Sequence, residues 1–326
     1  MNILRKCFSI EIPQGFRQLN AAYCKSVGKP KELLFFDKSV QKILKDVTDK
    51  DYAIVFRRKK EGKRLKAPQF KFMTDEEYKE ELRLAEKKSE RMLQMPPVIP
   101  PRKEIDYVFV KDDHLKGYSD SKFVFTDISF GKTDQNRCIV VRDPDGTLRK
   151  ANWEERDRMN KMYFPREGRS VKKPEMFETN YLTRLLEQEE YEFILDKACI
   201  QYEPDDPDFI NIRNLTFDDI NKKGNFLKLR STRHFGPMVF YLALNNNINN
   251  ILETYINTDR LDHGVKVIKL HCLLHPENNF KVMFVEGEEM NYIEEFVNKT
   301  YPDSQLQNAI KKYKALVHRQ SSSNAA

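Results

Sequence analysis

KFVFTDISFGKTDQNRCIVVRDPDGTLRKANWEERDRMNKMYFPREGRSVKK, from Lys122 to Lys173, decides the fold of the central part of this chain. Its β-branched and aromatic residues predict three short strands, at Phe123–Ser129, Arg137–Arg142 and Thr147–Ala151. The second and third strands form a hairpin across DPDG (residues 143–146), because proline presets φ and glycine accepts a positive φ.

A helix follows the hairpin directly. Asn152 is in position to cap it, and Glu155, three residues later, completes a capping box. The sequence assigns its apolar side to four residues, Trp153, Met159, Met162 and Tyr163. Phe164-Pro165 ends the helix, so the stretch predicts a ββα-type unit without a catalytic pattern.

The same residues resemble a known family. YFPREGR, GTLRKANWEERDRM and VFTDIS, together with MPPV upstream and LRSTRHFGPMVFYL downstream, are similar to the family of the mitochondrial small-subunit ribosomal protein numbered twenty-two. The likeness covers roughly residues 37–275 and leaves both ends of the chain poorly matched. It implies a non-catalytic building block of the mitochondrial ribosome.

Composition limits the alternatives. The chain has 326 residues with 40% apolar and 33% charged side chains, which predicts a compact part with extended arms that become ordered against partners. Its net charge is +7, so the clustering of bases matters more than their total. The glycines are too dispersed for a phosphate-binding loop, and no apolar run is long enough for a transmembrane helix.

Five widely spaced cysteines, without a C-x-x-C pair, favour a reducing compartment. They do not distinguish cytosol, nucleus and mitochondrial matrix.

Residues 1–31 form an acid-poor leader. Six bases face a single acid, Glu11, and apolar residues are interspersed. This composition is typical of a mitochondrial transit peptide, and the alternative is an ordinary basic N-terminal arm.

The segment from Phe56 to Phe72 is the most basic part of the chain. Eight bases accompany one acid, Glu61, and phenylalanines flank them. Such a density of like charge is relieved by phosphate, so RNA contact is predicted, and a solvated tract is the alternative.

Two further basic clusters strengthen the prediction of RNA contact. One follows the central helix, and the other precedes an apolar helix that Gly236-Pro237 starts. No RNP-type motif or GXXG loop is present, so phosphate contact is favoured over sequence-specific reading. The predicted RNA-binding residues are Arg57, Arg58, Lys59, Lys60, Lys63, Arg64, Lys66, Arg166, Arg169, Lys172, Lys173, Arg230 and Arg233.

The remaining regions are predicted as helices. Thr74 and Glu77 form a capping box for a polar helix that runs to about Gln94 and lies over a surface, and prolines then force an extended path. A short strand is possible at Ile105–Val110. After Lys173 the apolar spacing is helical: Thr216 is assigned as the cap of a short helix, and a last helix covers Asn308–Val317.

Metal and catalytic sites are not favoured. His271 and His275 could meet on one helix face, but a zinc site needs more ligands than these residues and His263 supply. No nucleophile elbow or active-site cysteine is recognisable, so the sequence predicts a non-enzyme without a cofactor.

The predicted fold is mainly α, a helical stack with a small β-hairpin or ββα-type central unit and extended N-terminal arms. The predicted regions are a presequence (1–31), a basic arm and surface helix (32–101), the central unit (102–173), a helical domain (174–320) and a disordered tail (321–326).

With the resemblance, this fold implies a structural component of the mitochondrial small ribosomal subunit, in the matrix, that braces ribosomal RNA and neighbouring ribosomal proteins. Neither a membrane nor a small-molecule substrate is expected. The alternative is a helical-repeat factor in mitochondrial RNA processing or ribosome assembly.

Overall fold

The protein is mainly α-helical with one small antiparallel sheet, which confirms the predicted fold class. The computed structural model describes residues 30–57, 70–278, 280, 284–301 and 305–324. Its regular elements are α1 (Lys38–Thr48), α2 (Tyr52–Val55), α3 (Asp75–Met92), β1 (Val108–Lys111), β2 (Phe123–Thr126), β3 (Ile139–Arg142), β4 (Thr147–Lys150), α4 (Trp153–Tyr163), α5 (Thr179–Glu187), α6 (Tyr191–Gln201), α7 (Pro207–Lys223), α8 (Phe235–Leu244), α9 (Asn249–Asn257), α10 (Leu261–Leu274), α11 (Glu289–Thr300) and α12 (Gln305–Asn324).

These elements belong to two compact units. The described residues of Met1–Pro100 and Asn221–Ala326 form the first unit, and Pro101–Ile220 forms the second. No helix in the described ranges combines the length and the apolar character needed to cross a membrane.

The core of the first unit is built around α8. As predicted, this helix is apolar and buried, with Met238, Val239 and Phe240 fully covered. Helices α1 and α10 pack against it and against each other. Phe35 contacts Phe240 edge to face, with 5.2 Å between the ring centroids. Residues just after the predicted leader therefore contribute to the core of this unit.

The C-terminal helices extend the same core. Helical apolar spacing was predicted throughout this region, and in α9 it buries Ile251, Leu252, Tyr255 and Ile256. Helix α11 was not predicted from the sequence, although it buries Ile293, Phe296 and Val297 at helical spacing. Helix α12 begins before the predicted Asn308 and continues to Asn324.

The sheet of the second unit has the strand order β1-β4-β3-β2. Every pair is antiparallel, with Phe125 opposite Val140 and Val141 opposite Arg149. The hairpin between β3 and β4 requires Gly146, whose φ is 85°. A Cβ at this position would collide with the carbonyl oxygen of Asp112, so the predicted DPDG turn needs glycine for space as well as for backbone angle.

Helix α4 begins where the sequence predicted, and its capping box between Asn152 and Glu155 is present. Its predicted apolar side is wrong in part: Met159 packs against the core of the sheet, but Met162 is 50% exposed and Tyr163 is 63% exposed. The buried residues are Arg156 and Asn160. Both donate to the carbonyl oxygen of residue 134, so a loop covers the helix with backbone acceptors instead of apolar side chains.

The assignment of Thr216 as a helix cap is also wrong. Helix α7 is continuous from Pro207, and Thr216 lies inside it. Its hydroxyl donates to the carbonyl oxygen of Ile212 at 2.8 Å, a bond that satisfies a buried hydroxyl within a helix. Phe209 and Ile212 are buried in a cluster with residues of α5 and α6, which explains why the helix begins nearly three turns earlier.

Candidate RNA-binding bases and apolar surfaces

The most basic segment lies largely outside the described part of the chain. Arg57 is described: it follows α2, and its side chain is exposed. The other predicted bases of this segment lie outside the described residues; they are Arg58, Lys59, Lys60, Lys63, Arg64 and Lys66. RNA contact by this segment therefore stays a prediction.

The second basic cluster is partly neutralised within the chain. Arg169 donates to Glu203 at 2.8 Å and to the carbonyl oxygen of Ile200 at 3.3 Å, and its side chain is only 8% exposed. Arg166 pairs with Asp134 at 2.6 Å and with Glu203 at 3.3 Å, but its side chain remains half exposed. Both arginines thus attach the segment after α4 to the end of α6, and Arg166 keeps surface for an external contact.

The two lysines that follow are more open. Lys172 is exposed, and Lys173 pairs with Asp208 at 3.1 Å with both side chains about half exposed. An ion pair this exposed is weak. Lys172 and Lys173 can therefore turn to an external anion at little cost in stability.

The third cluster surrounds Asp49, which ends α1 with a φ of 68°. Arg230 donates to the Asp49 carboxylate at 2.8 Å, and Arg260 donates to the same oxygen at 3.3 Å. Burial raises the pKa of Asp49, but the hydrogen bond and the charge of Arg230, together with the backbone N–H of Lys50, outweigh burial, and the net pKa is lowered. Arg233 contacts Nε2 of His234 through its Nε at 3.3 Å. Arg230 therefore has a role in the fold of the first unit.

Arg149, which was not among the predicted residues, links separate elements of the second unit as Arg230 does in the first; such an arginine is called a brace below. Its guanidinium donates to Asp143 at 2.7 Å and to Glu155 at 2.8 Å. The hydrogen bonds to Glu155 and Asp143 raise the pKa of Arg149, and those from Arg149 lower the pKa of Glu155. Arg149 thus joins the hairpin turn to the first turn of α4, and Lys122 pairs with the same two carboxylates at 3.5 Å and 3.7 Å.

Arg102 forms a second brace. It pairs with Asp157 at 2.8 Å and with Asp206 at 3.1 Å, and its side chain is 10% exposed. Its guanidinium also lies 4.5 Å from the ring centroid of Trp153, whose indole N–H donates to the carbonyl oxygen of Lys103 at 2.6 Å. Trp153, which the sequence placed on the apolar side of α4, is half-buried and lies under this arginine.

The outer face of the sheet is open and largely apolar. It lies opposite the face that buries Ile139 and Val141. Among the described residues, Arg142 and Lys150 on this face form no ion pair, and they lie over the rings of Phe123 and Tyr107 at 5.0 Å and 4.9 Å. The other members of the face include Val110, Phe125, Val140 and Leu148, which line a shallow concavity of about 400 Å³.

The alternation of side chains along β3 could have revealed this face. Ile139 and Val141 point to the core, so Val140 and Arg142 must point away from it. The braces at Arg149 and Arg102 left no such signal, because their carboxylate partners come from other elements.

The histidine pair of α10 is part of the core. His271 Nε2 lies 2.8 Å from Asn246 Oδ1, and His275 Nε2 lies 3.0 Å from the carbonyl oxygen of Ala243. Burial lowers the pKa of His271 to about 4, with a further contribution from His275. Within the described ranges, no group of three or more His, Cys, Asp or Glu residues could hold a metal ion.

Comparison with known proteins identifies the relatives of this chain. The model of the family described as mitochondrial 28S ribosomal protein S22 matches residues 33–276. Small ribosomal subunit protein mS22 of Mus musculus is 38% identical over 267 residues, which cover 82% of this chain and 74% of that protein. The mS22 protein of Bos taurus is 40% identical over 249 residues, which cover 76% and 69%.

Proposed function

This chain belongs to the family of mitochondrial 28S ribosomal protein S22, and we propose that it is a structural component of the mitochondrial small ribosomal subunit. In this role it works in the mitochondrial matrix during translation, and it braces ribosomal RNA and neighbouring ribosomal proteins without catalysing a reaction. The observation that carries the proposal is the family match, which extends over residues of both compact units.

The described surface suits a protein that is completed by partners. Large apolar side chains are exposed along β1 and β2, for example Val108 at 51%, Phe125 at 53% and Ile128 at 81%. Apolar patches of this kind on a folded chain mark binding surfaces. A protein held in a ribonucleoprotein particle covers such surfaces by assembly.

RNA contact is assigned mainly to the basic segment that begins at Arg57. Arg166, Arg169, Arg230 and Lys173 each have a carboxylate partner within the chain, so a phosphate must compete with that partner. Arg166 and the two lysines Lys172 and Lys173 are the exposed members of the other clusters, and we assign them supporting contacts to the RNA backbone.

Sedimentation tests this function against the alternative of a transient factor. The tagged full-length chain is expressed in mitochondria, and the lysate is run on sucrose gradients at increasing salt. A structural component is expected to remain with the small subunit through moderate salt. An RNA-processing or assembly factor is expected to leave the particle or to appear only with precursors, and that result would overturn the proposal.

A charge-reversal variant tests the RNA segment. Arg57, Arg58, Lys59 and Lys60 are replaced by Glu, and incorporation into the small subunit is expected to fall because phosphate is now repelled. The matched control replaces four exposed lysines of α1 and α12 by Glu, namely Lys42, Lys45, Lys311 and Lys312. Equal incorporation of the two variants would remove this segment from the RNA interface.

Matrix localisation is tested at the N-terminus. Residues 1–31 are expected to direct a fluorescent fusion into the matrix because the leader is basic and acid-poor. The fusion that lacks these residues is expected to stay in the cytosol. Matrix delivery of the shortened fusion would refute the presequence.

A further inference from the structure

Helix α3 is almost entirely exposed along its length. From Asp75 to Met92, Ser89 is buried, Ala85 is half-buried and the other side chains are exposed. A capping box stabilises its first turn, in which Thr74 and Glu77 satisfy each other's backbone N–H groups. Most helical stability in proteins comes from packing of one face, and along most of its 18 residues this helix has no packing partner among the residues that the structure describes.

Four apolar residues of α3 and one serine follow a heptad pattern, whereas Leu84, which is 47% exposed, lies off it. Tyr78, Leu82, Ala85, Ser89 and Met92 are spaced by four, three, four and three residues. This spacing has a period of 3.5 residues, which places the five side chains on one narrow seam of the a/d type. Tyr78 is 57% exposed and Leu82 is 48% exposed. A seam of this kind is complementary to another helix.

Part of the seam is already covered by the chain itself. Ser89 is fully buried, and the short helix α2 packs beside α3. Lys88 lies over the ring of Phe56 at 5.4 Å, and Lys50 pairs with Glu90 at 3.7 Å. The covered end of α3 is thus a helix-to-helix interface, and the same seam continues past it into solvent.

Charge decides which class of macromolecule fits the open end. The helix carries seven carboxylates and five bases, and its first turn has three acids, so an RNA backbone would be repelled. The flanks of the open seam carry Lys79, Glu81 and Glu86, a mixture of signs that a protein helix can match. Phe70 and Phe72 are also fully exposed just before the helix and lengthen the apolar surface.

We propose that the open turns of α3 dock an amphipathic helix of a neighbouring protein in the assembled small subunit, along Tyr78, Leu82 and Ala85. This inference rests on the proposed function. The open seam, from Tyr78 to Ala85, spans about one heptad, fewer than the three to four that sustain a free coiled coil, so a second copy of this chain would bind too weakly. A neighbour that other contacts of the particle hold in place needs no such length.

Site-specific photocrosslinking tests the docking site. The photoreactive residue benzoylphenylalanine replaces Leu82 on the seam or, as a matched control, Lys87 on the opposite side of the same exposed helix. The full-length variants are expressed in mitochondria, small subunits are isolated on gradients and then irradiated, and the products are identified by mass spectrometry. The Leu82 probe is expected to join one protein, at a segment with apolar residues three and four apart, at about ten times the yield from Lys87.

Each other outcome overturns the inference. Crosslinks from Leu82 to RNA, to a second copy of the chain or to this chain alone contradict a neighbouring protein helix, as do equal yields or none from the two positions. Failure of the proposed function has a different readout. Both probe variants and the unmodified chain would then be absent from the small-subunit fractions before irradiation. That result would contradict the proposed function and, with it, this inference.

A pair of substitutions provides a second measurement. Leu82→Glu places a charge in the seam, whereas Lys87→Glu changes the far side, and both keep a good helix former. Leu82→Glu is expected to lower incorporation into the small subunit by about tenfold relative to Lys87→Glu, in line with the loss of one buried leucine contact. Equal incorporation, with unchanged helix content by circular dichroism, would contradict the docking site.

Discussion

Helix α8 and the sheet with α4 are stabilised by different means. Eight residues of Phe235–Leu244 are buried, and all of them are apolar, glycine or proline. In the other region the apolar core is small, with Ile139, Val141 and Ala151 fully covered, and arginines complete it. Arg137 donates to two backbone carbonyl oxygens and lies 3.3 Å from the ring centroid of Phe164. One region depends on removing apolar surface from water, and the other depends on satisfying guanidinium groups.

This difference has consequences for mutation. An apolar core tolerates substitutions that change shape but keep volume, and the stability lost in a substitution increases with the apolar area that is no longer buried. The stabilisation by a guanidinium that joins several elements is lost in one step when the arginine is replaced, because carboxylates or carbonyls are then left without a partner.

The largest effect is expected in α8. Phe240→Ala removes a fully buried ring that contacts Phe35, and we expect a loss of about 3–5 kcal/mol from the cavity and the lost burial. Urea unfolding of the purified chain measures it. Leu227→Ala is the control, since that side chain is 54% exposed and its loss should cost little. Similar costs for both changes would show that α8 is not the core of its unit.

Arg102→Leu is expected to have the next largest effect, about 2–4 kcal/mol, because Asp157 and Asp206 lose their cation in a largely buried place. The neighbouring substitution Lys103→Leu, at an exposed position, should change stability by less than about 0.5 kcal/mol.

Neutralising both aspartates sharpens this test. If uncompensated charge is the cause, Asp157→Asn with Asp206→Asn should restore part of the stability that Arg102→Leu removes. No recovery would mean that the packing of the arginine over Trp153 is what matters.

The two regions also differ in how far the sequence predicts them. Apolar burial leaves a helical period, so α8 and α9 could be placed from spacing alone, and α11 carried the same signal at Ile293, Phe296 and Val297. The buried side of α4 could not be predicted, because Arg156 and Asn160 are polar residues in a helix and their acceptors come from a loop.

The candidate RNA-binding bases, too, could be predicted from the sequence only in part. Counting bases locates clusters, but it does not show which of them have partners. Glu203, the main partner of Arg169, comes from the loop after α6, far along the chain. The open bases Arg142 and Lys150 could have been found from strand alternation, yet they lie in no charge run. Tertiary structure decides which bases are available to an external anion.

Acid pH should weaken the first unit through His271. Burial and His275 lower its pKa from 6.5 in the unfolded chain to about 4, so the unfolded state binds more protons between these values. Stability is therefore present above about pH 6.5 and is lost as the pH falls toward 4, by at most about 3 kcal/mol.

His271→Leu should flatten the pH dependence between 6.5 and 4, which urea unfolding at a series of pH values measures. His114→Gln, at an exposed position, should leave the slope unchanged. An unchanged slope in His271→Leu would assign the acid sensitivity to another group.

Trp153→Ala tests, with a smaller expected effect, whether the second unit depends on its arginine contacts or on an apolar core. The ring is half-buried and contacts Arg102, and its N–H donates to the carbonyl oxygen of Lys103. We expect a loss of about 1–2 kcal/mol, from one hydrogen bond and the cation–π contact. Trp153→Phe keeps a ring for the guanidinium and should recover part of it. A loss as large as that of Phe240→Ala would show that the second unit is centred on an apolar core after all.

The smallest effect is expected at the two capping boxes, which are equivalent in local geometry but not in surroundings. Asn152→Ala should lower the stability of the second unit by about 1 kcal/mol, because α4 folds with the sheet. Thr74→Ala removes a similar cap from α3, whose first turns are exposed and pack against no other described part of the chain. The change should therefore leave the urea midpoint in place and accelerate amide exchange in the first turns of α3 by about fivefold. A shift of the urea midpoint by Thr74→Ala would mean that α3 folds together with its unit, and its open seam would then be less available to a partner.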